Sequence, residues 1–316
     1  FALAPAAEAP RGKILDAAIT QAREALLSRQ NADGHWVFEL EADATIPAEY
    51  VMLQRFFGKS DPAREAAIGR YLRRLQEQEA PTAQGGWPLF HGGAFDISAS
   101  VKAYFCLKMI GDSPDAPHMA KARAAILAYG GAERANVFTR ILLAQFEQLP
   151  WSRVPTIPVE LILLPRWFPI HLSRMSYWAR TVLVPLLVLA SLRVRARNPR
   201  GIGIAELFAT ETRAAPGIAA HQHRGWALFY GGLDRVLKRV EPFWPKGMRR
   251  RAIERCRTFV TERLNGEDGL GAIYPAMANS VMMYDALGYA PDYPHRAIAR
   301  QSVEKLLVGS PKQKLD

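Results

Sequence analysis

The sequence predicts an all-α fold, an α/α barrel (toroid) of stacked helical hairpins. Three observations predict it. Apolar residues recur at helical spacing almost throughout the 316 residues, and no run of alternating β-branched residues rises above that background. The breaks between helix-like stretches are short and carry Gly, Pro, Asp and Asn, as in "FFGKSDP", "IGDSPDAP", "YGGAERA" and "NGEDGLG". Two similar stretches, "QNADGHW" and "QGGWPLF", each close a helix, and their tryptophans, Trp36 and Trp87, stand 51 residues apart. That spacing suits two helices plus turns, and hairpins repeating at it can curl into a barrel.

Each element follows from its own pattern. Ile14, Leu15, Ala18, Ile19, Ala22 and Leu26 mark a first apolar stripe. Ala67, Ile68, Tyr71, Leu72 and Leu75 mark a second. Val101, Tyr104 and Phe105, running on to Ile110, mark a third, and Val137, Ile141, Leu142 and Phe146 a fourth. Further helices are expected near 174–192, 222–239, 247–263, 277–288 and 295–308. Between them, Pro150 to Pro169 carries five prolines, so no regular helix runs through it. It reads as a long apolar connection that needs cover or faces lipid. A degenerate third copy of the repeat is "TERLNGEDGLGAIYP", with Leu264 and Leu270 in place of Gln and Trp.

Composition narrows the function classes. Hydrophobic content of 49% with 22% charged residues is that of a globular chain. Two cysteines, Cys106 and Cys256, make no disulfide framework and read as buried small hydrophobes. The net charge of +11 concentrates at Arg193, Arg195, Arg197 and Arg200 and at Lys246 and Arg249 to Arg251. Both clusters border aromatic-rich stretches, which favours a lipid headgroup layer over nucleic acid. The longest apolar run, Val182 to Leu192, is too short to span a bilayer core of about 30 Å at about 1.5 Å per residue. It reads as a core helix, or as part of an apolar plateau with Leu161–Phe168 and Phe243–Trp244. His221 and His223, two apart, fall on different helix faces, and no Cys/Asp/His set builds a zinc site. "GIGIAEL", "GGAFD" and "YGGAER" lack the strand and Lys of a phosphate loop. No metal site and no cofactor are expected.

The repeated Gln-x3-Gly-x-Trp pattern resembles the QW motif of triterpene cyclases. The text around it resembles bacterial squalene–hopene cyclases over roughly residues 12–308: "AEYVML", "GGAERANVFTRILLA", "MSYWARTVLVPLLVL", "ARNP" and "GEDGLGAIYPAMANSVMMYDALGY". The resemblance implies two α/α barrels. Residues 12–60 would be N-terminal helices of the second, catalytic barrel, and 61–308 most of the N-terminal-side barrel. Residues 1–11 form a lead-in and 309–316 a divergent tail. It also implies a cofactor-free, monotopic enzyme at the cytoplasmic face of the cell membrane, taking up squalene and compatible with a homodimer. No nucleic-acid partner is expected.

The resemblance also assigns residues. Phe138, Trp178, Ile273, Tyr274 and Pro275 match positions lining the cyclisation cavity. Glu49 matches a carboxylate of the polar, water-holding end. Lys102 stands where some relatives have Glu, and Asn136 and Asn279 where some have Arg and Tyr. Gln30, Gly34 and Trp36, with Gln84, Gly86 and Trp87, are structural QW residues: Gln to bond helix-end backbone, Gly for the turn, indole for cover. The family's acid, the central Asp of Asp-x-Asp-Asp, has no counterpart here, because the sequence holds no Asp-Asp pair. No catalytic residue is therefore expected in this chain, which would be about the N-terminal half of the enzyme and inactive alone. The alternative is a non-catalytic toroid that binds isoprenoid or membrane.

Overall fold

The computed structural model describes residues 11–36, 42–168, 170–209 and 224–307. The readings made for His221, His223 and the tail 309–316 lie outside them, as does the lead-in up to residue 10. The chain divides into two compact units, Phe1–Glu41 and Ala42–Asp316.

The first unit holds α1 (Arg11–Leu27). Its apolar stripe is present, and Ile14, Leu15, Ile19 and Leu26 are all exposed. Beyond α1 the chain turns at Gly34, whose φ of 92° suits glycine.

The second unit is helical among its described residues. Its helices are α2 (Thr45–Phe56), α3 (Pro62–Gln78), the single turn α4 (Ala80–Ala83), α5 (Ile97–Ile110), α6 (Pro117–Ala128) and α7 (Val137–Gln145), then α8 (Tyr177–Leu192), α9 (Arg224–Val240), α10 (Lys246–Thr261), α11 (Tyr274–Ala286) and α12 (Pro294–Lys305). Four start at side-chain caps, where a short polar side chain accepts from a free helix-end N–H. Asp61 accepts from Arg64 N at 3.1 Å and Asp96 from Ala99 N at 2.8 Å. Asn136 accepts from Thr139 N at 2.9 Å and Ser176 from Ala179 N at 3.2 Å.

The sequence groups α2 with the helices before residue 60. By its contacts it belongs to the second unit, packing on α5 and α3. Its Val51, Met52, Leu53 and Phe56 are buried in the same core as Tyr104, Phe105 and Leu107 of α5. On the other side, α11 packs between α8 and α12. Side chains tie α12 to α2 and α3. Arg64 Nη1 donates to Glu304 Oε2 at 2.9 Å and to the Tyr50 hydroxyl at 2.6 Å, and Arg300 Nη2 donates to Gln54 Oε1 at 2.7 Å. The "ARNP" stretch ties helix ends by backbone: Ala196 N donates to Gln145 O at 2.7 Å and Arg197 N to Phe56 O at 3.0 Å.

The proline-rich connection holds two 3₁₀ turns, at Trp151–Arg153 and Val159–Leu163, and a third follows it at Leu172–Arg174. It finds its cover: Val154, Val159 and Leu172 are buried, and the middle turn packs on α10 and α8. Thr156 N donates to Asp234 Oδ1 of α9 at 2.7 Å. The apolar run of α8 is a core helix, since Val184 and Leu186 to Leu189 are buried. That removes most of it from the expected plateau. Both cysteines are buried and free.

Candidate functional site

Five helices, α2, α5, α7, α8 and α11, converge on a cavity of about 550 Å³. From α2, Thr45, Glu49, Met52 and Phe56 face it at helical spacing. From α7 come Phe138, Ile141 and Gln145, and from α8 Trp178, Val182 and Leu186. The start of α11 adds Ile273, Tyr274 and Pro275. The caps at Asn136 and Ser176 set the first turns of α7 and α8, and so aim Phe138 and Trp178. Before α11, Gly271 and Ala272 both have positive φ, 66° and 52°, which turns Ile273 inward.

All six residues that the sequence singled out for the cavity, Glu49 included, line this one space. Phe138 and Trp178 are 53% and 63% exposed, so both are accessible aromatic faces and not core packing. Tyr274 is buried, and burial, followed by the charge of Glu49, pushes its hydroxyl well above the usual tyrosine range.

The polar end holds an ion pair. Lys102 Nζ lies 2.7 Å from Glu49 Oε1, with the Lys side chain 10% exposed. Sequence reasoning noted Lys102 only as a departure from relatives. A cation inside the apolar run of α5 was the available signal, because a buried charge needs a partner. Asn136 and Asn279 also line the cavity. Asn136 serves as the α7 cap, and Asn279 Nδ2 donates to Val182 O at 3.4 Å.

The QW residues sit at helix ends, and Gln84, Gly86 and Trp87 do not line the cavity. Trp36 Nε1 donates to Leu26 O at 2.7 Å, and Trp87 Nε1 donates to Leu72 O at 2.8 Å. Gln30 Nε2 donates to Gly34 O at 2.7 Å. In the second copy that contact belongs to Gln76, whose Nε2 donates to Gly85 O. Gln84 instead sits exposed in a left-handed turn with φ of 50°. The turn glycine is Gly85, with φ of 89° against 92° for Gly34. Gly86 is required for a different reason, since a Cβ there would overlap Phe95 and Ser100. The insertion of α4 between Gln76 and Gly85 hid the match. The Leu-x3-Gln spacing shared by Leu26–Gln30 and Leu72–Gln76 would have revealed it. In the degenerate copy, Leu264 and Leu270 form an isolated antiparallel bridge, and Leu270 is fully buried.

Chemically, the cavity is an apolar, aromatic-walled space with one ion pair at its polar end. Among the described residues no group of three His, Cys, Asp or Glu side chains could hold a metal ion.

Comparison with known proteins gives the geometry its context. The family described as the squalene-hopene cyclase N-terminal domain matches residues 19–312. A squalene–hopene cyclase of Zymomonas mobilis is 62% identical, over 92% of this chain and 43% of its own length. A squalene-hopene cyclase of Schizosaccharomyces japonicus is 45% identical, over 93% of the chain and 44% of its own length. A dammaradiene synthase of Dryopteris crassirhizoma is 30% identical, over 87% and 39%. The chain thus spans less than half the length of these relatives. With helical hairpins, two matched Trp staples and a family match over nearly its whole length, the chain belongs to the squalene–hopene cyclase N-terminal domain family.

Proposed function

We propose that this chain supplies the N-terminal portion of a squalene–hopene cyclase, an enzyme that protonates a terminal alkene of squalene and lets a carbocation cascade close the rings. The observation that carries the reading is the convergence of Glu49, Phe138, Trp178, Ile273, Tyr274 and Pro275 on one apolar cavity. Squalene is a hydrocarbon, so shape and aromatic walls must fold it. Aromatic faces such as Phe138 and Trp178 stabilise passing cations by roughly 0.5–2 kcal/mol each. Apolar walls keep out water that would quench them. The Glu49–Lys102 pair is the polar end, where water is held. The proton donor lies outside these residues, as the sequence has no Asp-Asp pair.

In this reading the chain before α2 joins the second barrel of the whole enzyme, and α2 together with 61–308 builds most of the first. The protein sits on the cytoplasmic face of a membrane, as monomer or homodimer. Exposed Trp167 and Phe243, at 75% and 85%, and the exposed Leu228, Val236 and Val240 of α9 support contact with lipid. No described helix is long and apolar enough to cross a membrane.

The test is squalene titrated into the chain in detergent, followed by tryptophan fluorescence. A saturable change that Trp178→Phe reduces is expected, with no hopene in the extract. Absence of saturable binding overturns the reading, and hopene formation overturns the assignment of the acid to another segment.

A further inference from the structure

A second hollow, of about 460 Å³, lies away from the cavity and is lined by Ile162, Leu163, Arg251, Glu254, Arg255 and Thr258. Arg251, Arg255 and Thr258 fall at i, i+4 and i+7 on α10, so they share one face. Most other arginines of α10 are engaged. Arg249 Nε lies 3.0 Å from Glu160 Oε1, and Arg257 is clasped by Glu254, which neutralises the one acid in the hollow. Arg251 and Arg255 have no ion-pair partner among the described residues and are exposed.

Arg251 also belongs to a crowded basic start of α10. Lys246, Arg249, Arg250 and Arg251 crowd the first turns of α10, where the helix dipole is already positive. That end has no acid in its first turn and no side-chain cap. A local choice that works against its own element marks a place where something else is selected. An anion in the hollow would offset the charge of Arg251, the one member of that basic start that reaches it. The opposite wall of the hollow is apolar: Ile162 and Leu163, half-buried, belong to the connection that runs on to exposed Trp167.

We propose that this hollow binds the phosphate of an anionic phospholipid, with the Arg251 and Arg255 guanidiniums on the phosphate oxygens, the Thr258 hydroxyl donating, and Ile162 and Leu163 against the first carbons of the lipid. Two planar forks on one helix face match a phosphate better than two ammonium groups do. The site rests on the membrane reading above and gives it a lipid preference.

The test is co-sedimentation of the full chain with two vesicle preparations, phosphatidylcholine alone and phosphatidylcholine with about 30% phosphatidylglycerol, the latter giving an anionic surface. Arg251→Gln/Arg255→Gln is compared with Lys59→Gln/Arg70→Gln, which removes the same charge from exposed positions elsewhere. The wild type is expected to prefer phosphatidylglycerol. The arginine pair should lose about thirtyfold on those vesicles, the effect of two basic residues at a lipid surface, and little on phosphatidylcholine. The control pair should stay close to wild type. Equal losses in both pairs, or equal wild-type binding to both vesicles, overturn the site and leave the membrane reading standing. Failure to bind either vesicle overturns both. Competition by inorganic phosphate at millimolar concentration would assign the hollow to free phosphate and overturn the lipid assignment.

Discussion

Trp36 and Trp87 make the same hydrogen bond, yet one is 42% exposed and the other fully buried. Their replacements should therefore differ. Trp87→Phe removes a buried indole donor and leaves space in the core, at a cost of about 2 kcal/mol. Trp36→Phe should cost less than about 1 kcal/mol. Chemical denaturation of the two variants checks this, and equal losses would show that exposure does not set the value of the staple. At the cavity, Lys102→Met strips Glu49 of its partner. The pair is partly exposed, so the loss should be about 1–2 kcal/mol, below that of a fully buried pair. Lys102→Glu should cost more, by setting two carboxylates against each other, and melting temperatures in the order wild type, Met, Glu would bear this out.

At the scale of the element, caps decide where the cavity's aromatic walls point. Asn136 caps α7, its backbone N–H donates to Ser98 Oγ at 3.0 Å, and its carbonyl accepts from Arg140 N at 3.0 Å. Asn136→Ala should destabilise the protein by about 1 kcal/mol and loosen the first turn, which carries Phe138. Asn136→Asp keeps the acceptor and should restore stability. Circular dichroism melts distinguish the two, and a loss in both would point to the cavity contact of Asn136 instead of its cap.

The whole molecule couples stability to acid through its tethered carboxylates. Burial alone would raise Asp112, but the Arg73 guanidinium, with Nη2 2.6 Å away, and the His118 ring hold it below the usual range. Glu206 is likewise lowered, since Lys108, 2.5 Å away, outweighs its burial. A lowered folded-state pKa means stability that is present above the unfolded value, near 4, and lost as pH falls through the folded value. Stability should thus fall steeply below about pH 4. Asp112→Asn should be less stable at neutral pH and show a shallower decline in acid. Denaturant midpoints measured across pH 2–7 check it, and parallel curves for variant and wild type would remove Asp112 from the account.

Much of this was legible in the chain alone. Helical periodicity and short Gly/Pro/Asp breaks specify hairpins because each helix must hide one face, and that requirement is written locally. The Trp staples were legible because a turn needs its glycine within a few residues of the helix it ends. The site was legible only through likeness to a family: nothing local in Phe138 or Trp178 separates a cavity wall from a core. What tertiary structure alone decided are the pairings across distance. Lys102 meets Glu49 53 positions away, Arg64 of α3 bonds Glu304 of α12, and Gln76 reaches Gly85 across an inserted turn. Such contacts depend on which helices the shared core brings side by side, and the periodicity of a single helix does not encode its neighbour.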